Sequence, residues 1–273
     1  MATPSQVAGP RLAVMGTLKA TVLLAVAQAG RLAVAVSAFL PLYYAAALVS
    51  AGTWHILLDA LALSVGLVLM AIVSVAWYRA NLLGERPTAF PRLSRRHLDM
   101  SLMSLLLSAL VYAPLGLSER LLLASPEDDL RGEVIALVFV VAVFLLAWYL
   151  YLRLFLVLPA IALDRAFGLR DAWRVSAGNG WRLLGVSFLI VVPCVAVLLI
   201  LDVLFDAPLD DSNPVSIAIG LNGPGVGTLE EALYVALQSM VQVVLAAVLA
   251  ALGSVAFRDL TAQAPPSYGS TAL

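Results

Sequence analysis

The groups from which this chain could build a reaction centre are few: two histidines, one cysteine and 17 acids in 273 residues. The histidines, His55 and His97, fall in segments that the apolar pattern sets on opposite sides of a membrane. One metal ion or one proton relay therefore cannot use both. Cys194 stands alone inside an apolar run, which excludes an intrachain disulfide and a cysteine metal cluster. A thiol in such surroundings is inert. Asp128/Asp129 and Asp210/Asp211 lie in polar loops and read as solvated charges. Gly223, Gly225 and Gly227 lack the preceding strand and following Lys of a phosphate loop, and no H-E-x-x-H, G-x-S-x-G, Walker or G-x-G-x-x-G motif occurs. An intramembrane or lipid-modifying reaction would have to use Asp59 or Asp202 at a span boundary. The expectation is a chain without catalytic residues, cofactor or metal site.

Two sets of polar residues enter apolar segments. Ser101, Ser104 and Ser108 share one helical face, and so do Gln238, Ser239 and Gln242. Ser104, Ser108, Gln238 and Gln242 are candidate lining for a small polar cavity. The competing role is packing, because small residues let membrane helices approach and each cross-helix hydrogen bond contributes about 0.6–2 kcal/mol. A third set is basic. Arg92, Arg95 and Arg96, in PRLSRRH, with Arg170, Arg174 and Arg182, are candidate contacts for anionic lipid headgroups. Such attraction is worth about 1 kcal/mol per charge.

The elements that position these residues follow from composition. Hydrophobic residues make up 62% and charged residues 12%, with mean hydropathy +0.99, so the bilayer must be the solvent for most of the chain. Six apolar spans are expected near 32–50, 60–78, 100–117, 134–152, 183–201 and 232–257. All Lys and Arg except Arg120 and Arg131 fall at the termini or in segments 79–99 and 153–182, whereas most acids lie in the alternate loops. Basic loops stay cytoplasmic, so both termini are placed inside. The fold class is therefore all-α: a polytopic membrane helix bundle of six transmembrane helices plus short interfacial helices. Residues 1–11 and 263–273 read as disordered, flanking a membrane domain over 12–262.

Residues 12–30 carry Leu12, Met15, Leu18, Val22 and Val26 close to one helical face, which favours an interfacial helix. Arg11, Lys19 and Ala27-Gln28-Ala29 also fit a signal peptide and its cleavage site. Aromatic residues, among them Trp77, Tyr78, Trp148, Trp173, Trp181 and Phe257, mark the span ends, where headgroup-level rings are expected. Pro41, Pro114 and Pro193 fall inside the outward-running spans, and Thr228 with Glu231 forms a capping box ahead of the last one.

The most distinctive stretch is 153–184, RLFLVLPAIALDRAFGLRDAWRVSAGNGWRLL. Its pattern, R-L-x-x-x-x-P-A-x-x-L-D followed by A-W-x-x-S-x-G-x-x-W-R-L-L, resembles a signature of bacterial multi-pass proteins related to the membrane domain of glycerophosphoryl diester phosphodiesterases. VAWYRANLLGERP (75–87) is similar to a second piece of that pattern. In those phosphodiesterases the catalytic acids and metal ligands belong to a separate soluble barrel domain, which this sequence does not contain. The resemblance implies a stand-alone membrane domain. The expected function is a non-catalytic bacterial inner-membrane protein, structural or accessory in envelope or lipid homeostasis. Membrane lipids and another membrane protein are its expected partners, and nucleic acid is not. The alternative is a transport component, a pore or permease for a small or lipid-like solute. Reporter fusions test the orientation: fusions within 79–99 or after 262 should report the cytoplasm and fusions within 118–133 or 202–227 the opposite face. The reverse pattern would overturn it.

Overall fold

The computed structural model describes residues 12–37, 39–45, 56–88, 93–123, 130–205 and 229–262. Arg92, both proposed disordered ends, Thr228 of the capping box and most of the acidic loops lie outside them. The helices are α1 (Val14–Ser37), α2 (Ile56–Leu83), α3 (Arg95–Leu123), α4 (Leu130–Leu154), α5 (Val157–Ala162), α6 (Leu169–Val175), α7 (Gly180–Leu204) and α8 (Leu229–Thr261). Among the described residues, six stretches are long and apolar enough to cross a membrane: Val14–Ser37, Ser64–Leu83, Arg95–Pro114, Leu137–Ala162, Gly180–Leu204 and Ala232–Thr261. The protein is an all-helical, multi-pass membrane protein.

Helix α8 is the central element, packing on α1, α2, α5 and α7, while α3 pairs with α4 as a hairpin. Two layers of side chains fill the end of the bundle at which α2 finishes and α7 begins, called here the basic end. One centres on Trp77, Tyr78, Met100, Leu107 and Phe155, the other on Leu152, Leu156, Leu183 and Phe257. Large apolar side chains on α4 such as Ile135, Val138 and Phe139 point outward. In a bilayer these groups meet lipid tails, so their exposure carries no penalty.

The course of α1 differs from the expected boundary at residue 31. The helix runs unbroken from 14 to 37 and takes in the first residues assigned to span one. About 30 Å of helix separates Leu12 from Leu32. Yet both are tied to the basic end. The Leu12 N–H donates to Asn179 Oδ1 (2.9 Å) and its carbonyl accepts from Arg182 Nη1 (2.8 Å). The Leu32 carbonyl accepts from Trp77 Nε1 (3.3 Å), and Arg31 Nη1 reaches the Gly84 carbonyl (3.5 Å). The helix therefore crosses that half of the bundle obliquely. Its buried face holds Thr17, Thr21, Leu32, Ala35 and Val36, while Met15, Val22 and Val26 of the apolar stripe are exposed. Leu12 and Leu18 of the stripe pack on protein with the threonines, and its other three members face outward. After Phe39 the chain turns, and helical residues 40–45 head for the opposite end, where the Tyr44 hydroxyl donates to the Ala232 carbonyl (2.8 Å).

The aromatic residues show a second departure. Trp77, Tyr78 and Phe257, expected at headgroup level, are almost fully buried, whereas Trp173 and Trp181 are exposed. Helix α4 ends at Leu154, and the chain re-forms as α5 with Pro159 in its first turns, where a missing N–H costs little. Pro114 and Pro193 sit inside α3 and α7.

Gly253 allows a close approach in the core. A Cβ there would lie 2.6 Å from Phe155 Cζ and 3.1 Å from Tyr78 Cε1. Gly253→Ala should destabilise the bundle by about 1–3 kcal/mol through overpacking. A lowered unfolding midpoint in detergent is expected; an unchanged one would contradict this packing.

Candidate functional site

Two polar centres lie at opposite ends of the bundle. At the basic end, the motif residues singled out in the sequence bond to one another. Arg153 is only 9% exposed at the end of α4. Its Nε donates to Ser176 Oγ (3.1 Å), its Nη2 donates to the Trp173 carbonyl (2.6 Å), and its guanidinium lies 3.4 Å from the Trp173 ring centre. A planar cation can stack and donate sideways at once, which an ammonium cannot. Ser176 Oγ donates to the Trp173 carbonyl in turn (3.1 Å). The short α6 is thus fastened to α4. Asp171 starts it by accepting from the Gly168 N–H (3.0 Å). Gly178, with φ +78°, turns the chain into α7.

A second clamp centres on Asp164, which holds φ 54° in the turn after α5. That conformation is uncommon outside glycine but tolerated by Asp. Its carboxylate pairs with Arg96 of α3 (2.8 Å) and stands 3.7 Å from Arg79 of α2. Arg79 also donates to the Ala162 carbonyl (3.0 Å) and forks onto both oxygens of Glu85. The Arg79 hydrogen bond holds the Glu85 carboxyl below its usual range. This pairing is therefore complete above the ordinary carboxylate pKa and is lost as pH falls through the depressed one. Because Glu85 is half-exposed, solvent screening keeps its stabilisation small.

The six candidate headgroup arginines divide. Arg96 is spent on Asp164, and half-buried Arg182 donates to the Leu12 carbonyl. Arg95, Arg170 and Arg174 face outward, with Arg95 and Arg174 in loose pairs to Asp99 (3.8 Å) and Asp171 (4.0 Å). Arg92 lies outside the described residues.

At the opposite end, Tyr234, Gln238 and Gln242 follow one another at four-residue intervals on α8. The Tyr234 hydroxyl donates to Asp202 Oδ1 (2.6 Å), Gln238 Nε2 lies 3.5 Å from the Tyr234 oxygen, and the Tyr43 hydroxyl donates to Gln242 Oε1. Gln238, Ser239 and Asp202 are buried. Ser104 and Ser108 are half-buried on α3, which packs on α2, α4 and α5. The serine face thus lies on α3 and the glutamine face on α8. Sequence reasoning found the glutamines but not their tyrosine partners. The spacing of Tyr234 ahead of Gln238 was the available signal; nothing local marks Tyr43. Among the described residues, no three His, Cys, Asp or Glu side chains converge as a metal site would require.

No family model, no curated protein and no solved structure matches this chain.

Asp164→Asn should loosen Arg79 and Arg96 together. Faster amide exchange in 79–88 and 94–100 is expected, with little change in α8. Equal exchange in both proteins would show that the pairs carry no structural weight.

Proposed function

We propose that this protein is a non-catalytic, integral inner-membrane protein of bacteria that acts as a structural or accessory domain in envelope or lipid homeostasis. Its termini are cytoplasmic in this reading. One observation carries it: Arg153, Asp164, Ser176 and Arg182 of the distinctive 153–184 stretch bond to protein. Arg153, Ser176 and Asp164 are engaged in clamps between helices, and Arg182 holds the start of the chain. Residues built to act on a substrate would instead present their polar groups to a cleft. The resemblance of 75–87 and 153–184 to the membrane domain of glycerophosphoryl diester phosphodiesterases supports the same conclusion, since that domain is not where their hydrolysis takes place.

The outward-facing Arg95, Arg170 and Arg174 stand with exposed Trp173 and Trp181 at the basic end. This is the combination that suits anionic headgroups, with rings at the interface and cations in the phosphate layer. Native mass spectrometry of the detergent-purified protein should find retained anionic phospholipid. Arg95→Gln, Arg170→Gln and Arg174→Gln combined should reduce it several-fold, an effect that higher salt mimics in the wild type. Equal retention by both proteins would remove the headgroup role, and turnover of a defined substrate would remove the non-catalytic reading.

The glutamine–tyrosine face of α8 favours a second reading, a pore or permease for a small or lipid-like solute. Gln238→Leu with Gln242→Leu should abolish uptake of glycerophosphodiesters into proteoliposomes if that reading holds. The accessory reading expects no uptake by either protein.

A further inference from the structure

Helix α1 packs on the bundle with a polar underside. Thr17, Thr21, Gln28 and Leu32 follow one another at helical spacing, and Thr21 is fully buried. The Thr21 Oγ1, the Gln28 Oε1 and both amide atoms of Asn81 are buried without a hydrogen-bond partner among the described residues. Asn81 belongs to the same contact. Trp77, Asn81 and Gly84 lie four and three residues apart, which sets them on one face of α2. Trp77 donates to the Leu32 carbonyl and Gly84 accepts from Arg31, so Asn81 stands between two points at which α2 meets α1. Buried polar groups are nearly always hydrogen-bonded, and one left unpaired loses the bond that water would supply. Such losses gathered at one contact make it weaker than the apolar contacts around it. The facing stretch of α8 has no such defect: Ala250, Ala251, Leu252 and Val255 are buried, and Ser254 Oγ donates to the Ala250 carbonyl (2.8 Å).

We propose that α1 is a strap that lifts from the bundle. Ala35 and Val36, set in the core beside Val73 and Trp77, act as the pivot, and residues 12–31 swing away from α2, α7 and α8. The far end is held by the two hydrogen bonds that Asn179 and Arg182 make to the Leu12 backbone, and by Val14 and Leu18 on the core of α7 and α8. Opening breaks these ties and gives Thr21, Gln28 and Asn81 to water, which repays part of what is lost. Segments with few well-matched contacts are the ones that open below the global unfolding free energy. The closed strap also keeps Arg182 Nη1 on the Leu12 carbonyl, so opening frees one of the candidate headgroup arginines. The strap itself rests on neither the accessory nor the transport reading.

The experiment uses the full chain in lipid nanodiscs, with Cys194→Ser as background and a charged, water-soluble maleimide as probe. Thr21→Cys and Val255→Cys each place a thiol at a buried position, one under the strap and one in α8. Thr21→Cys should label at least tenfold faster. Adding Gln28→Met with Asn81→Leu removes three of the four unpaired atoms and keeps the side-chain size. It should slow labelling at residue 21 on the order of tenfold and leave residue 255 unchanged. Equal labelling at 21 and 255, or a rate at 21 that ignores the added substitutions, overturns the proposal. Should that pair fail to fold, Arg182→Met serves. It removes one tie on Leu12 and should raise the rate at residue 21 several-fold; an unchanged rate would overturn the proposal equally.

Discussion

The interaction on which the rest depends is the seating of the Arg153 guanidinium. A cation almost out of water at a span end would be costly if left alone. Here it stacks on Trp173 and donates to Ser176 and to the Trp173 carbonyl, so its charge and its donors are engaged together. The consequence is positional. Once α6 is fastened to α4, Gly178 can turn the chain back into α7, and Asn179 and Arg182 at that turn are placed to hold the backbone of Leu12. The oblique α1 then lies over Trp77 and the upper core. A local pairing thus sets the path of three separate parts of the chain.

The Asp164 clamp completes the same end from the other side. It joins α2, α3 and the turn after α5, which lie far apart in sequence. Neither clamp resembles a reaction centre, because each carboxylate is matched by guanidinium and each guanidinium is directed at protein. The opposite end has the complementary character. There the polar side chains described include Tyr43, Asp202, Tyr234, Gln238 and Gln242, and one oxygen of Asp202 is left without a hydrogen-bond partner.

Much of this was legible in the residues. Apolar length gave the crossing helices, since the ~30 Å hydrocarbon core demands it. The break near Pro159 and the amphipathic segment before Gly178 were marked by residues with one physical reading. Other features were not local. The burial of Trp77 depends on α1, whose Leu32 carbonyl it meets, and that of Tyr78 on the close approach of α8 at Gly253; neither cover is visible in local sequence. The stripe of Met15, Val22 and Val26 was correctly periodic, but periodicity cannot say whether lipid or protein lies against it. Asp202 read as a boundary charge because its depth depends on Tyr234, 32 residues later. The arginines divided for a similar reason: Arg95 and Arg96 are adjacent, and only the placement of Asp164 decides which of them turns inward.

The most direct test of the account is a double-mutant cycle between Arg153 and Trp173, with Arg153→Met, Trp173→Leu and the pair, read by reversible unfolding in mixed micelles. The Trp173 carbonyl survives its substitution, so the cycle isolates the stack. A coupling of about 1–2 kcal/mol is expected for a desolvated cation on an indole face. Strict additivity of the two single variants would mean that the buried guanidinium does not organise this end of the bundle, and the account built on it would fail.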